Sequence, residues 1–135
     1  MTSAAAASPL AGRSILIVED EYLIADDLAR ELRAVGAGVV GPVASLSQAM
    51  RLLADTGPLD VAILDINLRE TLVYPLIDQL LAAQVRVLIT SGYDAAIIPD
   101  RYRTLPRCDK PVSTEQLREA AERLWDGATV SLPTP

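Results

Sequence analysis

Leu59-Asp-Val-Ala-Ile-Leu-Asp65 is an apolar run broken only by Asp60 and ended by a carboxylate. A short continuous apolar run between turn signals reads as a strand buried on both faces, which places a strand over residues 59–64. Gly57-Pro58 punctuates its start. The next helix begins near Tyr74-Pro75, where proline fits the first turn, and its apolar face is Leu76, Ile77, Leu80 and Leu81. Outward from this run the same alternation of apolar and amphipathic segments occurs five times between about residue 14 and residue 126. That order predicts an α/β, doubly wound parallel sheet with helices on both faces.

Upstream, Ser14 to Val18 reads as the first strand. It is followed by a helix over residues 21–35 whose Ile24, Leu28, Leu32 and Val35 share a face and which stops at Gly36. Val39 to Val43 is a second strand, and Ser45 with Gln48 forms a capping-box pattern before Leu46, Ala49, Met50 and Leu53. Downstream, Val85 to Thr90 is a fourth strand. Residues 94–104 carry Pro99 and the charges Asp94, Asp100, Arg101 and Arg103, which predicts a fourth helix that is short or irregular. Thr104 to Cys108 reads as the fifth strand. Ser113 and Gln116 box the start of a last helix with Leu117, Ala120, Ala121 and Leu124 inward and Trp125 as a packing anchor. Residues 1–12 and 127–135, rich in small residues and proline, read as flexible ends around a single domain over residues 13–126.

Composition narrows the function. The chain has 135 residues, half of them hydrophobic, enough for one domain with a sizeable core. A formal charge of −6 gives no basic footprint for nucleic acid, and no apolar run reaches the roughly 20 residues that span a bilayer. Met1 to Pro9 lacks the basic start of a secretory leader, so the expected location is the cytoplasm. The single cysteine, Cys108, excludes an internal disulfide and reads as a small buried side chain. With no histidine, Ser/His/Asp and Cys/His catalysis and histidine zinc sites are absent, leaving carboxylates, hydroxyls and lysine for chemistry.

Those groups fall at strand ends. Glu19 and Asp20 follow the first strand, Asp65 ends the third, Thr90 ends the fourth, and Lys110-Pro111 follows the fifth. In an open parallel sheet the carboxyl ends of the strands are where ligands bind. Three carboxylates gathered there repel one another unless a cation neutralises them, and an all-oxygen donor set favours a hard ion such as Mg²⁺. The metal, Lys110 and the Thr90 hydroxyl can together hold the equatorial oxygens of a phosphoryl group while Asp65, central in the sheet, attacks it. Each residue alone has an ordinary structural explanation: an acidic helix start, a loop cap, a strand-end threonine, a Lys-Pro turn. Only the joint pattern discriminates.

The segments Ile15-Leu-Ile-Val-Glu-Asp-Glu21, Ala62-Ile-Leu-Asp-Ile-Asn67, Leu88-Ile-Thr-Ser-Gly-Tyr93 and Asp109-Lys-Pro111 resemble the receiver-domain signatures of two-component signalling, over about residues 13–126. The resemblance implies a flavodoxin-like five-stranded sheet of order 2-1-3-4-5. It also implies Asp65 as phosphoacceptor, Asp20 and Asp65 as direct Mg²⁺ ligands, Glu19 acting through water, and the Asn67 backbone carbonyl as a further ligand. Thr90 and Lys110 would contact the phosphoryl oxygens, and Lys110-Pro111 would be a cis bond. More narrowly, the fourth strand's end is similar to that of a bacterial single-domain subgroup with a Phe-Ala-Thr-Gly-Tyr type motif, from which it departs by lacking the phenylalanine and by inserting Ser91. Most receivers carry an aromatic three residues before the lysine. Arg107 stands there, as in the subgroup, so the switch is expected in Thr90, Ser91, Gly92 and Tyr93 rather than in a Thr-to-aromatic pair.

The implied function is a response regulator phosphorylated on Asp65 by a sensor histidine kinase. It would catalyse its own phosphoryl transfer and a slow autodephosphorylation, and serve as an interaction switch for a downstream partner, a relay to a phosphotransfer protein, or a phosphate sink. A different class is a small aspartyl-phosphate phosphohydrolase of the haloacid-dehalogenase type, which needs a second carboxylate where Asn67 stands. A third is a pseudo-receiver that binds partners without phosphate, against which the full acidic and cationic set speaks.

Overall fold

The computed structural model describes residues 7–68, 71–92 and 98–126. In chain order the elements are β1 (Ser14–Val18), α1 (Tyr22–Ala34), β2 (Gly38–Val43), α2 (Leu46–Asp55), β3 (Val61–Asp65), β4 (Asn67–Leu68), β5 (Thr71–Leu72), α3 (Tyr74–Ala82), β6 (Arg86–Ser91), a 3₁₀ turn (Asp100–Tyr102), β7 (Arg107–Asp109) and α4 (Thr114–Asp126). The main sheet is parallel with order β2-β1-β3-β6-β7, while β4 and β5 form a separate antiparallel hairpin. With the hairpin set aside this is the 2-1-3-4-5 order of the flavodoxin-like fold.

Alternation along the central strands divides the core in two. Leu16, Val18, Ala62, Leu64, Val87 and Ile89 pack with Ala49 of α2 and Leu76, Ile77 and Leu80 of α3. Ile15, Ile17, Val61, Ile63 and Leu88 pack with Leu28, Ala29 and Leu32 of α1 and Leu117 and Ala121 of α4. Because both faces are covered, β1 and β3 read as unbroken apolar runs rather than as alternating ones. Gly36, at φ +93°, ends α1 in the left-handed region, and the Ala37 N–H reaches back to the Leu32 carbonyl at 3.1 Å. One of the two expected boxes closes fully at its helix start and the other by half. Ser113 and Gln116 exchange bonds of 3.0 and 2.9 Å. Ser45 Oγ accepts from the Gln48 N–H at 3.1 Å, but Gln48 Oε1 takes the Ala44 N–H instead of that of Ser45. Among the described residues no helix is long and apolar enough to cross a membrane.

Several expectations are corrected. The fifth strand is Arg107–Asp109, not Thr104 to Cys108: Pro106 has no N–H, and the ladder opens with its carbonyl accepting from Ile89 at 3.0 Å. Leu81 is exposed because Leu76, Ile77 and Leu80 already fill the buried arc of α3. Residues 8–12, expected to be loose, are docked. Leu10 is fully buried in the second core cluster, the Gly12 N–H donates to the Gly36 carbonyl at 2.9 Å, and Ser8 Oγ donates to Glu122 of α4 at 2.6 Å. Between β6 and β7 the described residues hold the 3₁₀ turn, in keeping with the short or irregular fourth helix expected there. Cys108 is half-buried, and burial pushes its thiol up. Trp125 lies 4.8 Å from the Arg13 guanidinium and 4.4 Å from that of Arg86, so it binds cations as well as filling space. The hairpin and a cis Gly41–Pro42 peptide had no sequence signal. The tail over residues 127–135 lies outside the described residues.

Candidate functional site

Parallel pairing brings the carboxyl ends of β1, β3, β6 and β7 to one edge. Glu19 is fixed by its own backbone, whose N–H donates to the Val43 carbonyl at 3.0 Å, and its Oε2 accepts the Glu21 N–H at 3.1 Å. Asp65 stands opposite Thr90 in the β3–β6 register, Ser91 opposite Asp109 in the β6–β7 register. The Lys110 N–H donates to the Ser91 carbonyl at 2.8 Å, which aims the lysine back over the sheet edge. Lys110 Nζ then donates to Asp65 Oδ2 at 2.8 Å and lies 3.8 Å from Glu19 Oε1. Glu19, Asp20 and Asp65 each place a carboxylate oxygen within 4.8 Å of the others.

The electrostatics are strained in a chemically informative way. Glu19 and Asp65 are each only 6% exposed. Burial, then the charges of Asp65 and Asp20, push Glu19 up to about 7 against the opposing pull of the Glu21 N–H and Lys110. For Lys110, burial works against the charge, yet the hydrogen bond and charge of Asp65, with Glu19 and Glu21, raise its pKa overall. One lysine thus serves two buried carboxylates, and a third carboxylate adjoins them. A hard divalent ion fits this all-oxygen set, and Mg²⁺ commonly binds through one or two carboxylates with substrate phosphate and water. Beside them the Thr90 hydroxyl is buried and finds no hydrogen-bond partner among the described residues. Such a hydroxyl costs roughly 1–3 kcal/mol unless a ligand satisfies it.

Glu19, Thr90 and Lys110 line a cleft of about 430 Å³ together with Gly92 and the apolar Ile24, Val112 and Leu117. The structure therefore gathers Glu19, Asp20, Asp65, Thr90 and Lys110. Asn67 pairs through its backbone with Leu72 in the hairpin, two residues beyond Asp65. Ser91 is buried, and Gly92 is exposed, with no atom of the described residues within 4 Å of where a Cβ would stand. Tyr93 lies outside the described residues. The Lys110–Pro111 peptide is cis, and Pro111 lines the cleft. The sequence did not signal the apolar wall: Ile24 and Leu117 carry the helical period of core residues, and nothing local marks them as facing a cleft. The Glu21 N–H that holds Glu19 was legible in principle, since an acidic side chain before a helix captures early amides.

No protein-family profile matches the chain, and no curated protein does. Solved structures do. SdrG from Sphingomonas melonis Fr1 is 33% identical, with 87% of this chain and 98% of that one covered at a TM-score of 0.70. The REC domain of the response regulator PhyR from Erythrobacter litoralis is 23% identical, with 93% and 97% covered at a TM-score of 0.75. A CheY-like response regulator receiver domain from Methylobacillus flagellatus is 22% identical, with 84% and 99% covered at a TM-score of 0.69, so it and the PhyR domain speak to the fold alone. With SdrG matched over nearly its whole length and the acidic edge assembled on that fold, the chain belongs to the response-regulator receiver family.

Proposed function

We propose that Asp65 accepts a phosphoryl group from the phosphohistidine of a sensor histidine kinase, in a Mg²⁺-dependent reaction, and that the chain acts as a phosphorylation-controlled interaction switch. The observation that carries this reading is the joint placement of the Asp65 carboxylate on Lys110 at 2.8 Å, among two further carboxylates, next to the unsatisfied Thr90 hydroxyl. Glu19, Asp20 and Asp65, with the Asn67 carbonyl, would hold the ion, which supplies neutralising charge to the phosphoryl oxygens. A carboxylate oxygen of Asp65 forms the new P–O bond as the P–N bond to the donor's imidazole breaks and the ring keeps the electron pair. Lys110 exchanges part of its contact with Asp65 for a phosphoryl oxygen, and the Thr90 hydroxyl donates to another. Autodephosphorylation is slow in this reading because Asn67 offers no acid or base two residues from the acceptor.

Thr90 drawn toward the phosphoryl group would pull on Ser91 and Gly92, and through them on Tyr93. Gly92 has the steric freedom that such a backbone change requires. The output is a downstream protein partner or a phosphotransfer protein. The test is incubation with acetyl phosphate, with and without Mg²⁺, followed by intact-mass measurement. Wild type should gain one acid-stable, base-labile phosphoryl group only with Mg²⁺, and Asp65→Asn should gain none. Undiminished labelling of Asp65→Asn would refute the assignment.

A further inference from the structure

β7 offers no buried lever by which the site could address the surface. Arg107, where many receivers carry an aromatic, is exposed and its Nε donates to Asp109 Oδ1 at 2.9 Å. A different route leaves the site through β3. The Ile66 N–H donates to the Thr90 carbonyl at 3.0 Å, and the Ile66 carbonyl accepts the Val73 N–H at 3.3 Å. The Val73 carbonyl in turn accepts from Leu76 and Ile77, each at 3.0 Å, so the first turn of α3 is fused to the residue after the acceptor. Tyr74 sits in that turn, and its ring stacks on Tyr102 with centroids 4.6 Å apart and planes 11° from parallel.

Tyr102 belongs to the 3₁₀ turn and is 4% exposed. Its hydroxyl donates to Asp78 Oδ1 at 2.8 Å, and Arg101 donates to the same oxygen at 2.8 Å. Both bonds fasten the segment to α3. The segment's backbone hydrogen bonds to described residues close within itself, Tyr102 to Pro99, Arg103 to Asp100 and Leu105 to Tyr102, as does the bond from Arg103 Nε to the Ile98 carbonyl. Side chains therefore hold residues 98–105 to the body: Ile98 and Tyr102 in the first core cluster and the Asp78 latch at its rim. A segment held this way has low local stability and moves when its anchor moves.

We propose that the Tyr74–Tyr102 ring stack, fastened by Asp78, is the mechanical link between the acceptor carboxylate and the segment from Ile98 to Leu105. Displacement of Ile66 by chemistry on Asp65 shifts Val73 and the first turn of α3, and the rigid rings transmit that shift where no backbone ladder does. The link rests on the reading of Asp65 as phosphoacceptor, and the experiment separates the two.

Amide hydrogen exchange is measured on the full chain with Mg²⁺, with and without beryllofluoride, for wild type, Tyr74→Leu and Asp78→Ala, while ¹⁹F NMR reports bound fluoride. In wild type beryllofluoride binds and changes exchange over residues 98–105. Tyr74→Leu binds it but loses about half or more of that change. Asp78→Ala, on a partly exposed helix position that leaves the fold in place, exchanges about fivefold faster over residues 98–105 before any addition and responds more weakly. If wild type binds no fluoride, the phosphoacceptor reading fails. If fluoride binds and residues 98–105 are silent, or respond equally in wild type and Tyr74→Leu, the link is overturned while the acceptor stands. Should Tyr74→Leu not fold, unchanged basal exchange and unchanged response in Asp78→Ala overturn it alone.

Discussion

Both ends of the sheet hold charged groups, and they resolve them oppositely. At the amino ends of the strands, Arg13 and Arg86 flank the Trp125 ring, and Arg86 also donates to the Trp125 and Leu124 carbonyls at 2.6 and 3.2 Å, closing the end of α4. Leu10 plugs the layer beneath. At the carboxyl ends, a single lysine faces buried carboxylates and a buried hydroxyl has no partner among the described residues. The first end spends its polar groups on stability. The second leaves them in excess, which is the signature of a place where an outside charge completes the structure.

The comparison can be broken most forcefully at Leu10. Leu10→Ala should cost about 2–5 kcal/mol, read as a lower denaturant midpoint at unchanged slope, because a fully buried side chain is lost. An effect under about 0.5 kcal/mol would return residues 8–12 to the class of loose ends. The next effect lies at the opposite end. Glu19 has its folded pKa raised to about 7, so the folded chain holds that proton more firmly than the unfolded chain does. The stability this confers is complete below the ordinary carboxylate range and is lost as pH rises through about 7. Metal-free protein should therefore lose on the order of 3 kcal/mol between pH 4.5 and pH 7.5 from this group. Glu19→Gln should flatten that slope, and added Mg²⁺ should flatten it at the upper end.

Smaller is Thr90→Val, which replaces an unsatisfied hydroxyl by a methyl of similar shape. Chemical denaturation should show a gain of about 1 kcal/mol without metal, while phosphorylation from acetyl phosphate slows. A loss of stability would mean that the hydroxyl is already satisfied. Smallest is Arg13→Ala at the quiet end. It should cost about 0.5–1 kcal/mol and alter Trp125 emission without changing Mg²⁺ affinity.

What the sequence disclosed followed periodicity and position. Buried strands stand out because both faces are apolar, so Ile15 to Val18 and Val61 to Leu64 were legible and their order placed Asp65 and Lys110 on one edge. The acidic cluster was legible for the same reason, since Asp65 is the last residue of its strand and Glu19 and Asp20 come just after theirs. The β4–β5 hairpin was not, because two residues per strand are too few to show a period. Leu10 was hidden by its company of alanine, serine and proline, and the docking of its segment includes a close approach of Ala11 to Gly36 that only tertiary structure reveals: a Cβ at Gly36 would lie 3.2 Å from that of Ala11. The Tyr74–Tyr102 stack joins residues 28 apart across elements whose contact no local pattern encodes.

The contact between Lys110 and Asp65 has a practical corollary in reagent chemistry. Lys110 is the only lysine in the chain, every other basic side chain being an arginine. An acylating reagent selective for primary amines therefore has a single side-chain target, and that target is the group that touches Asp65. Held protonated at 2.8 Å from a carboxylate, the ammonium is a poor nucleophile, and its acylation rate becomes a clock for how often the contact opens. Anything that draws Asp65 away, whether a cation or a covalent adduct on its oxygen, resets that clock in the unmutated protein.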